Sequence, residues 1–66
     1  MQINLNGKPE TIVDNISMVD LIQQLELQDK RIAIEVNESL LPRSAFADYL
    51  LKENDQIEIV HAIGGG

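Results

Sequence analysis

Polar and apolar residues alternate from the start of the chain: Gln2, Ile3, Asn4 and Leu5. That is the period of a strand, whose successive side chains face opposite sides. Asn6-Gly7 follows, a strong hairpin dipeptide because a tight turn needs positive φ at both central positions. A second strand is predicted beyond it, with Thr11-Ile12-Val13 prone to β structure. Lys8-Pro9 either lengthens the loop beyond the tightest kind or places Pro9 at a strand start. The period then changes. Met18, Leu21, Ile22 and Leu25 recur at i, i+3, i+4 and i+7, which predicts the apolar stripe of a short helix. Gln23, Gln24 and Glu26 face away from that stripe. Ser17 suits the N-cap, and Asp20 supplies an acidic variant of the capping box with a favourable first-turn charge. So short a helix must be held by packing rather than by propensity.

Period two returns in Ile32, Ile34 and Val36, with Ala33 and Glu35 on the opposite face. Asn37-Glu38 starts a turn, and the brief apolar pair Leu40-Leu41 ends at Pro42. In "SAFADYLL", Ser44 is expected to cap one helical turn while Phe46, Tyr49 and Leu50 or Leu51 plug the core. Asn54-Asp55 makes a further turn, and acids such as Glu53 and Asp55 read as ordinary solvated loop residues. The last strand has Ile57 and Ile59 inward, which sends Glu58 and Val60 to the other face. The order is two strands, a helix, a strand, a short strand and a final strand. A helix laid on one face of a small mixed sheet satisfies the layer rules, so the expected class is two-layer α+β. The final strand is expected beside the first, anchoring the chain to about His61.

Composition sharpens this picture. Sixty-six residues make a single domain, which buries only about 60% of its unfolded surface. No Cys is present, so neither a disulfide nor a thiolate metal site can staple it, and with one His no metal site is expected. The 44% apolar content must form one small core. No run approaches a membrane span, and Met1 leads into a strand pattern rather than a signal sequence, so a cytoplasmic protein is expected. Eleven acidic residues against five basic ones give a net charge of −6. That balance disfavours nucleic acid; composition alone favours plain solubility, with a partner bearing a basic docking surface as the sharper alternative.

Candidate catalytic groups are sparse. Ser17 and Ser44 occupy N-cap positions, and His61 stands alone on a terminal strand, better suited to a partner contact than to general base catalysis. The closing Gly64, Gly65 and Gly66 cannot cradle phosphate, since no helix follows to receive the anion. What they can offer is a bare, slim approach to a carboxylate. Glycine leaves the carbonyl carbon open and tolerates any φ, and residues 62–66 reach roughly 17 Å when extended, enough to enter another protein's active site. A partner could activate that carboxylate with ATP.

The whole chain, residues 1–66, resembles the ThiS family, the sulfur carriers of thiamin biosynthesis. The resemblance is carried by "INLNGK", "MVDLIQQL", "IAIEVN" followed by "LPRSAF", and "NDQIEIVHAIGGG". The stretch "DYLLKENDQIEIVHAIGGG" also echoes ubiquitin in the Asp-Tyr corner, the alternation and the closing glycines. Phe46 stands where many relatives carry Trp, and Asn54-Asp55 replaces a more usual Gly-Asp turn. The resemblance implies a ubiquitin-like β-grasp fold: about five strands, one main helix and a flexible tail over residues 62–66. It implies a carrier rather than an enzyme, with no bound cofactor. A ThiF-like adenylyltransferase would adenylate Gly66 with ATP, a persulfide donor would convert it to a thiocarboxylate, and a ThiG-like thiazole synthase would take the sulfur. Gly64 and Gly65 would thread into the partner, with Glu58, Val60 and His61 as possible docking contacts. The alternatives are a molybdopterin-type carrier subunit, which is usually longer, and a β-grasp interaction module without carrier activity.

Overall fold

The computed structural model describes residues 1–61; the tail expected over residues 62–66 lies outside the described residues. Five strands and one helix are formed: β1 (Gln2–Leu5), β2 (Lys8–Thr11), α1 (Met18–Gln24), β3 (Ile32–Val36), β4 (Ser39–Leu41) and β5 (Gln56–His61). They assemble into one sheet of order β2-β1-β5-β3-β4. The two hairpins flank β5, which runs parallel to β1 and antiparallel to β3.

Both hairpin turns are built on positive φ, which Asn6, Gly7 and Asn37 accept and Glu38 adopts at a cost. Asn6 and Gly7 stand at φ 51° and 83°, so the turn is the tight two-residue kind and β2 begins directly at Lys8. Pro9 fits on β2 because that strand is an edge, where a missing N–H costs no ladder bond. The second strand ends at Thr11, earlier than its β-prone continuation suggested, and Val13 is exposed. Asn37 and Glu38 turn at φ 51° and 71°, and Asn54 takes φ 70° in place of a glycine.

The helix packs its apolar stripe on the sheet. Ile3, Met18, Ile34 and Ile57 are fully buried, joined by Leu21, Ile22, Ile32, Val36, Phe46, Leu51 and Ile59. The Ser17 hydroxyl accepts the Asp20 N–H at 3.1 Å, the expected cap. Leu25 departs from the stripe: it is the C-cap and lies partly exposed, because the helix ends there rather than completing another turn. The ending is a Schellman motif, with Glu26 N–H donating to Gln23 O and Leu27 N–H to Ile22 O, each at 3.0 Å. The residue holding the left-handed position is Glu26, at φ 58°. A β-carbon is disfavoured there, so Glu26→Gly should raise stability by about 0.5–1 kcal/mol, read as a higher urea midpoint at constant slope. A lower midpoint would show that the Glu side chain contributes more than its backbone strain costs.

The loop after β4 closes the open end of the core. Met18 N–H donates to Tyr49 O, Val19 N–H to Phe46 O, and Leu51 N–H to Ile16 O, which laces this loop to the start of α1. Leu51 is the plug; Leu50 points outward. Ser44 is not a cap. The short 3₁₀ turn Arg43–Ala45 starts from an extended Pro42, and no side chain caps it.

Candidate functional site

β5 is the strand from which the glycine tail continues, and it occupies the centre of the sheet. Its alternation places Ile57 and Ile59 in the core and Glu58 and Val60 outward; His61 has the parity of the core residues and lies opposite buried Ile32, but is exposed at the strand's end. Val60 keeps 57% of its surface in solvent and Leu40 on β4 keeps 69%. Register puts Val60 and Leu40 on the face away from the helix, with β3 between them. Ala33 lies opposite Val60, Glu35 opposite Glu58, and Leu40 opposite Glu35. Like charges directly opposite one another across two strands repel. Among the described residues the one ion pair joins the Met1 ammonium to Asp14 at 3.1 Å, so Glu35 and Glu58 are in direct ion-pair contact with no basic side chain. An open hollow of about 340 Å³ adjoins them, lined by Asn37, Glu38, Gln56 and Glu58. The face therefore offers apolar spots beside two carboxylates that have no ion-pair partner.

Three polar side chains fix β5 in this position, and sequence reading missed their roles. Asp55 is buried, at 5% exposure, not a solvated turn acid. Its carboxylate accepts from Tyr49 Oη at 2.6 Å, Lys52 N–H at 2.9 Å and Asn37 Nδ2 at 3.0 Å. Burial pushes the Asp55 carboxyl up, but these three donors and the Lys52 charge outweigh it and hold the group below its ordinary value. The Tyr49 phenol is pushed up to about 12 by burial, reinforced by its bond to Asp55 and by the charge there. Asn37 is the second member: its N–H donates to Gln56 O at 2.8 Å while its Oδ1 accepts the Gln56 N–H at 3.0 Å. Asn6 is the third, accepting the Ile59 N–H on Oδ1 at 2.8 Å. The sequence signalled the Asn residues only as turn formers; nothing in it pairs them with a strand far away along the chain.

The remaining candidates do not converge on chemistry. Ser17 Oγ is engaged with the helix end, and His61 is an exposed strand residue. Among the described residues no three metal-ligating side chains cluster, and no helix is long and apolar enough to cross a membrane. Gly64, Gly65 and Gly66 lie outside the described residues.

A mixed sheet with β5 between two hairpins, covered on one face by a single helix, defines a ubiquitin-like β-grasp domain. The crystal structure of a thiamine biosynthesis protein (ThiS) from Geobacter metallireducens superposes with a TM-score of 0.87 at 30% identity, over 100% of both chains. The family model of ThiS matches residues 3–66, and the chain belongs to the ThiS family, the sulfur carriers of thiamin biosynthesis. The sulfur carrier protein ThiS of Bacillus subtilis is 32% identical over 97% of this chain and 98% of its own length. A thiazole synthase of Magnetococcus marinus is 36% identical over 100% of this chain, which spans only 20% of that larger protein. Members of this family are small carriers rather than catalysts.

Proposed function

We propose that this chain carries sulfur on the carboxylate of Gly66 for building a thiazole ring. The observation that carries the reading is the family match, which runs through residue 66 and so includes the terminal glycines. In this reading the Gly66 carboxylate attacks the α-phosphorus of ATP on a ThiF-like adenylyltransferase and releases pyrophosphate. The terminal sulfur of a persulfide donor then displaces AMP, and a thiol cleaves the resulting disulfide to leave the thiocarboxylate. A ThiG-like thiazole synthase takes that sulfur. Thiazole synthases that contain a stretch similar to this whole chain support that choice of acceptor. The chain itself is the co-substrate in these steps, and ATP belongs to the activating partner.

The physical logic is that of a rigid body presenting a slim reactive end. Glycines at 64 and 65 allow close approach to partner walls, at an ordering cost of about 1–2 kcal/mol for each residue fixed. An interface made by the body must offset that cost. Intact-mass analysis after incubation with ATP, the adenylating enzyme and a sulfur source tests the reading; the expected product has sulfur in place of one oxygen. Deleting Gly65 and Gly66 should abolish that product while leaving the melting temperature unchanged, since a tail that enters the partner adds nothing to the body's core. A large fall in melting temperature would assign the glycines a structural role instead.

The face around Val60 is the proposed docking surface. Val60→Lys adds a charge at an exposed position, so the fold should persist while affinity for the adenylating enzyme falls about tenfold or more, as for loss of an apolar anchor. Raised salt should mainly slow association, because Glu35, Glu38 and Glu58 act by steering. A titration showing wild-type affinity for the folded variant would move the interface elsewhere.

A further inference from the structure

The two edges of β5 are held in different ways. On the β3 side the register is continuous from Val36↔Ile57 to Ile32↔His61. On the other side β1 pairs only at Asn4↔Gln56 and Leu5↔Ile57, because the chain turns away at Asn6-Gly7 to form β2. Asn6 N–H donates to Ile57 O at 2.8 Å as β1 ends. The next donor on this edge is Ile59 N–H, and it is taken by a side chain: Asn6 Oδ1, at 2.8 Å and 53 positions away in sequence. Asn6 thus continues the ladder by one rung after its own backbone has left the sheet.

Turn chemistry alone does not require this. At φ 51° Gly or Asp would serve the turn as well, but Gly would leave Ile59 N–H without this acceptor. We propose that Asn6 is a positioning residue for the carrier tail: its carbonyl fastens Ile59, two residues before β5 ends, and so fixes the direction in which the chain leaves the sheet. This rests on the carrier reading above. A strand root held on both edges has less conformational freedom to lose when a partner takes the tail, which is preorganisation. Loss of the bond should raise KM for the carrier without altering chemistry at the distant carboxylate.

The test compares Asn6→Gly, which keeps the turn and removes the acceptor, with Asn6→Asp, which keeps both. In Asn6→Gly, hydrogen exchange at the Ile59 amide should be about tenfold faster, the equivalent of one ordinary hydrogen bond. With the adenylating enzyme and ATP, well below the melting transition, KM for this variant should rise roughly three- to tenfold at unchanged kcat. Asn6→Asp should return both readouts to wild-type values. An unchanged Ile59 exchange rate, or a faster one with unchanged KM, would overturn the proposal. A loss of activity that tracks only the folded fraction would overturn it too, since that is destabilisation and not positioning. If Asn6→Gly does not fold, the wild-type protein decides by NMR: a through-bond coupling between the Ile59 amide nitrogen and Asn6 Cγ supports the fastening, and its absence rejects it. Failure of the carrier reading is distinguishable, because wild-type protein would then give no adenylate whatever the Ile59 amide reports.

Discussion

Asp55→Ala should lower the unfolding free energy by roughly 2–4 kcal/mol, because it removes an ionised acceptor and orphans its donors. Those donors come from two segments: the Tyr49 hydroxyl and the Lys52 N–H from the loop before β5, and the Asn37 amide from the β3–β4 turn. None is replaced by the methyl of Ala, and Asn37 also fixes the start of β5 through Gln56. Urea unfolding gives the magnitude, and a loss below about 1 kcal/mol would mean that water restores the missing bonds. The acid dependence follows from the lowered pKa of Asp55. In the folded protein the ionised form is favoured, so the unfolded chain binds the proton more readily. The stabilisation is therefore complete above the ordinary value of 3.8 and is lost as pH falls from there through the lower folded value. That part of the acid sensitivity should vanish in Asp55→Ala.

Leu21→Ala should cost about 2–5 kcal/mol, the range for a buried leucine whose cavity cannot fully collapse. Leu21 keeps 3% of its surface exposed and packs with Met18 and Ile22 over Ile3, Ile34 and Ile57. Domains this small hold only about 5 kcal/mol or slightly more in reserve, so the variant should be substantially unfolded near 37 °C. Thermal melting followed by circular dichroism measures it. A melting temperature within a few degrees of wild type would show that the helix is not seated on the sheet through Leu21.

The elements were legible because each announces itself by local period. Ile3 and Leu5, the Met18–Leu21–Ile22 spacing and the Ile57–Ile59 alternation all depend on neighbours a few positions away, and each is reproduced in the fold. The outward direction of Glu58 and Val60 was readable for the same reason. Leu25 and Ser44 were misjudged at element ends, where one residue more or less of helix changes a side chain's surroundings. Asp55 was misjudged for a deeper reason. An acid in a turn is solvated by default, and only the arrival of Tyr49 and Asn37 from elsewhere makes it a buried acceptor. The rung supplied by Asn6 was illegible on the same ground: its hydrogen-bond partner lies nearly the whole chain away.

The central place of β5 also governs when the molecule can fold. The sheet order β2-β1-β5-β3-β4 puts the last-made strand between two hairpins that do not touch one another through any ladder. A two-stranded hairpin is marginal by itself in water, so neither half has a stable resting place while β5 is absent. On the ribosome, residues 1–55 can rehearse both turns, but a seven-residue helix has nothing to pack against and the core cannot close until residues 56–61 have emerged. Commitment then comes at once, because one segment joins both halves and covers the underside of α1. The transition state must close a loop of nearly the full chain length, so folding should be slow for a protein of this size and sharply cooperative. Few partly folded species should therefore persist for proteases to find.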